Sequence, residues 1–421
     1  MKRASPSEFK LGRESFTRAG ALSPELLISL LMYMVADGGR RGYTHLLEAF
    51  WADANDQGAN LPQEKPLSAA AFCNARHKLK PSALRALLHD AASVFDRQHG
   101  AKHRFHGRRV LALDGSKIPV QRAPELWQEF GGPSNGHTPQ ILVATLFDVL
   151  AKVPLDASVA PYASNEREQL LCVLDRLSPR DVLVLDQGFP SYEVIDKLLE
   201  RKVDFVLRMP VTGNYSGLHD FVRSGRYDDD IRLVPSEQGD AGHLGPFALR
   251  VVRRDGPDGK PQVFLTSLPR SSFSRAAILD LYRHRWEVEL FFRLEKGEYL
   301  GHHQFHARNP DGVRQEVFAL LLFVTLSRTL MAAAAEIHQV PYERISQKGA
   351  LLAAATRFIV LLLERSPERA KKTLYALLRR IARCLDELRR NRSCPRRSFK
   401  PTSRWGPQGR VFKPERPVQL R

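Results

Sequence analysis

Val110-Leu111-Ala112-Leu113-Asp114-Gly115 and Val182-Leu183-Val184-Leu185-Asp186-Gln187-Gly188 follow one pattern. Each opens with four apolar residues, as a strand buried on both faces requires, and each runs into an acid with a glycine close behind. Ligands of α/β sheets gather at the carboxyl ends of strands, where glycine permits tight turns. If the two strands are parallel neighbours, the carboxylates fall side by side. Two such acids repel unless a cation sits between them, and hard oxygen donors suit Mg²⁺ or Mn²⁺. The competing reading is that each Asp only caps the turn or helix that follows it. Two matched contexts in a strongly basic chain favour the metal site.

The surrounding pattern predicts a mixed α/β core. Strands are expected at Arg109 to Leu113, Gln140 to Leu150 and Lys152 to Val159, then a helix at Asn165 to Leu177. A strand at Val182 to Leu185, a helix at Tyr192 to Glu200 and a strand at Val203 to Leu207 follow. The first hundred residues read as helices: Pro24 to Ala36, Thr44 to Trp51, a Ser68-capped segment to Lys80, and another to about Phe95. Arg76, His77, Lys78 and Lys80 would suit a helix-turn-helix reader, a weak signal that any small helical bundle shares. Pro210 to Pro269 is turn-rich and strand-like, with acids at Asp228 to Asp230, and reads as an inserted β subdomain. Ser274 starts a long helix through Glu298, and Pro310 to Arg390 returns to helices.

The chain has 421 residues, 64 Lys+Arg against 46 Asp+Glu, a net charge of +18 and a pI near 10.0. Such a balance seeks a polyanion, most simply nucleic acid. From Arg389 to Arg421 there are eleven Lys+Arg and one acid, Glu415, so this segment carries +10 and leaves the body at +8. It reads as a flexible basic arm along phosphates, or as a disordered solubilising tail. Four cysteines with no Cys-x2-Cys pair exclude a disulfide framework and a zinc clamp. Met1 to Gly20 lacks an apolar signal-peptide core. Arg328 and Arg357 interrupt the most apolar stretches, which are therefore expected to be buried helices rather than membrane spans.

A third element lies in Tyr282-Arg283-His284-Arg285-Trp286-Glu287-Val288-Glu289-Leu290-Phe291-Phe292-Arg293-Leu294-Glu295-Lys296. At about 100° per residue, Tyr282, Arg285, Glu289 and Lys296 fall within about 60° of one another on a continuous helix. A phenol, a guanidinium, a carboxylate and an ammonium then stand in line, and Glu289 could be the third acid of the site. Equally, Arg285 with Glu289 could be an ordinary i,i+4 surface pair, as Arg283 with Glu287 is expected to be. His302, His303 and His306 lack the partner ligands a metal centre needs.

Tyr-x2-Arg-x3-Glu-x6-Lys, carried by Tyr282, Arg285, Glu289 and Lys296, resembles the signature of the DDE transposases of bacterial insertion sequences that bear a Tyr-Arg-Glu-Lys motif. Leu113-Asp114-Gly115-Ser116, Leu185-Asp186-Gln187-Gly188-Phe189, Glu166-Arg167 and Gln315-Glu316 are similar to that family too. The resemblance covers roughly Arg109 to Arg328. It implies a ribonuclease-H-like mixed sheet core with a β-strand insertion, flanked by N- and C-terminal helical domains.

Under that reading residues 1–100 are a helical DNA-binding domain and 101–208 the first part of the core. Residues 209–270 are the β-rich insertion, 271–300 the catalytic helix, 301–390 a helical region and 391–421 the basic tail. Asp114, Asp186 and Glu289 are then catalytic and hold two divalent ions, Mg²⁺ with Mn²⁺ as a substitute, while Tyr282, Arg285 and Lys296 bind DNA. The implied function is metal-dependent cleavage and strand transfer at the terminal inverted repeats of an insertion sequence. Transposon ends and target DNA are the partners, a homodimer in a synaptic complex is expected, and no membrane is involved. The expected location is the bacterial cytoplasm, at the nucleoid. The alternatives are a host-retained nuclease of the same fold and a catalytically silent DNA-binding protein. Some relatives release their element through a DNA hairpin and stack a flipped base on Trp. This chain has no Trp between Trp127 and Trp286, and Phe264 is the nearest aromatic candidate.

Overall fold

The computed structural model describes residues 16, 22–37, 41–211, 215, 217–236, 241–256, 259–294, 305–364 and 366–387. Lys296, His302, His303 and the basic tail lie outside the described residues.

Four helices come first: α1 (Pro24–Ala36), α2 (Tyr43–Asp56), α3 (Ala69–Arg76) and α4 (Pro81–His99). Their starts follow from the sequence. The Ser23 hydroxyl accepts from Leu26 N–H at 3.3 Å and that of Ser68 from Ala71 N–H at 3.1 Å, while Pro24 and Pro81 take first-turn positions that need no N–H partner. Arg76 is buried rather than offered to DNA. Its guanidinium donates to Gln315 Oε1, Tyr43 Oη, Gly312 O and Glu316 Oε1 at 2.7–3.1 Å. A buried cation is tolerable only when paired and fully hydrogen-bonded, and these four partners meet that condition.

The sheet begins with β1 (Arg109–Pro119), followed by α5 (Pro124–Phe130), β2 (Gln140–Asp148), β3 (Val153–Pro161) and α6 (Glu166–Leu171). Next come β4 (Asp181–Leu185), α7 (Tyr192–Glu200), β5 (Asp204–Met209), α8 (Leu218–Arg223), β6 (Asp228–Leu233), β7 (Phe247–Asp255) and β8 (Pro261–Thr266). The spatial order is β3-β2-β1-β4-β5-β8-β7-β6. Strands β1, β4 and β5 are mutually parallel, and β2 and β3 are antiparallel additions at one side. This is the ribonuclease-H-like mixed sheet. The 209–270 segment continues it, because β8 pairs antiparallel with β5. Alternation along each strand divides the core. Val110, Ala112, Val184 and Val206 face one layer with α1–α4, while Leu111, Leu113, Leu185 and Leu207 face the other with α6 and α7.

The chain ends with α9 (Arg275–Arg283), α10 (Trp286–Leu294), α11 (Pro310–His338), α12 (Gln347–Leu363) and α13 (Pro367–Arg383). Helix α11 is long and apolar enough to cross a membrane, yet 78% of its most apolar window is buried within this fold. It packs against α1, α4 and α13, and the N-terminal helices therefore share its core. The described residues through Leu385 form one closely packed unit.

Candidate active site

Strands β1 and β4 set the site. Their parallel register pairs Arg109 with Asp181 and runs to Ala112 with Val184, so its continuation puts Asp114 level with Asp186. Asp186 follows the last residue of β4. Asp114 does not end its strand: β1 keeps its antiparallel partner through Pro119 and pairs Asp114 with Thr145. The acid therefore marks the point where β1 outruns β4, leaving one strand edge open.

Both sequence readings of these acids are met. Asp114 Oδ1 accepts from Gly115 N–H at 2.9 Å, and Asp186 Oδ1 accepts from Gly188 N–H at 2.8 Å, the local bonds of a turn-capping Asp. Asp114 Oδ2 looks the other way, 3.9 Å from Arg285 Nη1. Burial, then the nearby Glu166 carboxylate, push the Asp114 carboxyl up to about 7; Asp186 adds to this, while Gly115 N–H and Arg285 oppose it.

The expected single long helix is two. Helix α9 stops at Arg283 and α10 starts at Trp286, with His284 and Arg285 between them. Neither Pro nor Gly causes the break. The ladder tightens to i→i−3 bonds, Arg285 N–H to Tyr282 O at 3.1 Å and Glu287 N–H to His284 O at 3.0 Å, as a short 3₁₀ turn does. Helix α10 is drawn onto the sheet beyond this turn: Phe291 stacks on Phe147 at 4.9 Å, Val288 is fully buried, and Glu287 pairs with Lys152 at 3.0 Å. The expected Arg283–Glu287 pair is thus absent, and Arg283 bonds Asp280 instead.

Arg285 donates to Glu289 Oε1, so one guanidinium links the acid of α10 to that of β1. Burial works against the Arg285 charge, but Tyr282, Glu289 and Asp114 outweigh it and hold the group above its ordinary value. Tyr282 is 7% exposed, with its hydroxyl turned toward the Arg285 guanidinium. Its electrostatic neighbours are Arg285, Arg208 and Asp186, and burial raises its phenol. Tyr282, Arg285, Glu289, Asp114 and Asp186 are therefore brought together.

Two more residues join them. Arg208 pairs with Phe264 across β5 and β8, level with Asp186 in the continued β4–β5 register, and has no ion pair among the described residues. Glu166, at the start of α6, lies against Gly115 and beside Asp186. Sequence reasoning passed over Arg208 because it ends an ordinary strand, and took Glu166 only as part of a family-like dipeptide. Phe264 is fully buried, packed on Tyr282 with ring centroids 4.6 Å apart, and so does not face solvent for base stacking. His306 is structural: Nε2 bonds Arg41 O at 2.8 Å and the ring stacks on Tyr43.

Among the described residues, no three acids, histidines or cysteines are gathered closely enough to cage an ion as they stand. The acids are collected around a protein cation, Arg285. The donor set nevertheless fits a hard divalent ion, because carboxylate oxygens are the donors such ions prefer. A cleft of about 780 Å³, lined by Tyr43, Arg76, His77, His306, Arg308 and Gln315, lies away from this cluster.

An open edge in a mixed sheet of this order, crowded with acids and arginines, is thus the setting of the site. Residues 105–326, more than half of the chain, match the model described as the transposase DDE domain, and the chain belongs to that family. It is 24% identical over 295 residues to transposase InsG for insertion sequence element IS4 of Escherichia coli (strain K12). That match takes in 66% of this chain and 64% of the relative, so the chain spans slightly less than two thirds of the relative's length. A solved structure, the cryo-EM piggyBac transposase synaptic complex with hairpin DNA, is similar at 13% identity with a TM-score of 0.46, covering 91% of this chain and 81% of that one.

Proposed function

We propose that this protein is a transposase that binds the terminal inverted repeats of an insertion sequence and performs metal-dependent strand cleavage and strand transfer. The observation that carries this reading is the level placement of Asp114 and Asp186 on adjacent parallel strands, with Glu289 reached through Arg285. Family membership and the IS4 relative support it.

Asp114, Asp186 and Glu289 would hold the divalent ions, with Mg²⁺ the proposed metal and Mn²⁺ a substitute. When bound, two such ions supply an activated oxygen nucleophile and charge neutralisation at the phosphate and leaving oxygen. The chain's own residues do the positioning. Arg285 and Arg208 offer guanidinium forks to phosphate oxygens, and the Tyr282 hydroxyl beside Arg285 offers a further donor. In cleavage a water oxygen bonds to phosphorus and the 3′-oxygen leaves, taking up a proton; in transfer that 3′-hydroxyl oxygen bonds to a target-strand phosphorus, whose own 3′-oxygen leaves and takes up the proton released. Lys296 is proposed to grip the transposon end, as are the N-terminal helices and the basic tail. A homodimer, and action at the bacterial nucleoid, belong to the same reading.

The test is a duplex carrying the element's terminal repeat, incubated with the full chain and Mg²⁺. A nick exposing a 3′-hydroxyl is expected, abolished by Asp114→Asn. Undiminished cleavage by variants lacking Asp114, Asp186 or Glu289 would sink the assignment.

A further inference from the structure

We propose that Glu166 is a fourth carboxylate ligand of the divalent-metal site, delivered from the opposite layer of the sheet across Gly115; this rests on the transposase reading above.

Along β1, Asp114 and Gly115 point to opposite faces, and α6 packs on the Gly115 side through Leu170. A Cβ at position 115 would lie 2.7 Å from Glu166 Cγ and 2.8 Å from Cδ, closer than atoms pack. Gly115 is therefore the gap through which the Glu166 side chain meets the strand. It does so where β1 has already lost its β4 partner, since the last parallel pair is Ala112 with Val184. The open edge lets a carboxylate from one layer reach groups on the other. Glu166 accordingly senses Asp186 and Arg285 as well as Gly115 N–H, and its own carboxyl is raised, by burial first and then by Asp186.

The helix is built to hold this position. Asn165 caps α6 by accepting from Glu168 N–H at 2.9 Å, and Arg167 Nε donates to Gly188 O at 2.8 Å, tying the helix to the loop that carries Asp186. On the far side of the cluster the Tyr282 side chain is 93% buried beside Arg285 and Asp186, which closes the site against solvent there.

The experiment titrates the metal-free full chain with Mn²⁺ alone, reading free ion by electron paramagnetic resonance. Glu166→Gln should weaken Mn²⁺ binding about tenfold or more. Glu166→Asp, one methylene shorter, should fall between that variant and wild type. Gly115→Ala should weaken binding by crowding Glu166 away, and the double variant should bind no worse than Glu166→Gln alone. Metal-free Glu166→Gln should melt no lower than wild type, because a repelling charge has gone, which separates ligand loss from misfolding. Mn²⁺ affinity of Glu166→Gln within twofold of wild type, while Asp114→Asn loses it, would overturn the proposal and leave the transposase site standing. Unchanged binding in both variants, or no saturable binding by wild type, would overturn the site and the proposal together.

Discussion

The two ends of the β1–β4 pair hold the same chemistry in opposite states. At the amino-terminal end, Arg109 and Asp181 face each other in a bidentate pair at 2.9 and 2.7 Å, and Asp181 also accepts from Ser178 N–H. Every oxygen there has a donor. Five residues further along the same register, Asp114 and Asp186 share their surroundings with Glu166, and Arg285 is the nearest cation to Asp114. One end is neutralised for stability and the other is left short of positive charge. The contrast teaches that one sheet carries both a neutralised pair and a crowd of acids, in keeping with local rules being broken mainly at functional sites.

The contrast breaks most sharply under substitution of the acids. Asp186→Asn or Glu289→Gln should lower strand cleavage at least about a thousandfold, equivalent to ~4 kcal/mol of barrier, with little loss of thermal stability. A gel assay beside a melting curve checks both halves. The reverse is expected at the other end. Asp181→Ala should cost about 2 kcal/mol of folding free energy, because it leaves the half-buried Arg109 guanidinium without its carboxylate, and the denaturant midpoint should fall accordingly.

A smaller effect is the pH dependence of metal-free stability. Asp114 titrates near 7 when folded against an ordinary value of 3.8, so it favours folding while protonated. That contribution is whole below about pH 4 and is lost as pH rises through 7. Asp114→Asn should flatten this part of the stability profile. Asp156 behaves oppositely: burial would raise it, but His89 and Arg85 outweigh burial and hold it at about 2. Its contribution is present above the ordinary carboxylate range and lost as pH falls through 2, which Asp156→Asn should remove. The smallest expected change is Arg167→Ala, which releases the Gly188 carbonyl and should slow cleavage about fivefold, ~1 kcal/mol, without moving the melting point appreciably.

The strands that carry Asp114 and Asp186 were legible because a strand buried on both faces is written locally, as an unbroken apolar run. The grouping of Tyr282, Arg285 and Glu289 was legible as a spacing, although the continuous helix assumed for it breaks at His284–Arg285. What stayed hidden depends on partners distant in sequence. Nothing near Glu166 announces that Gly115 makes room for it, and nothing near Arg208 announces its register with Asp186. Arg76 looked like a DNA reader because its partners, Gln315 and Glu316, lie some 240 residues away. The break at His284–Arg285 comes from the docking of α10, with no Pro or Gly to signal it.

The buried clasp of Arg76 with Gln315 and Glu316 bears on modular exchange. A head domain joined by a linker is swapped between enzymes by cutting the linker, but here the first hundred residues and α11 are halves of one interior. A chimera that imports new N-terminal helices must import matching residues on α11 as well, or leave a glutamate and a glutamine stranded in the dark. Diversification of the N-terminal helices is therefore expected to proceed by replacement of exposed side chains rather than by transplantation of the segment.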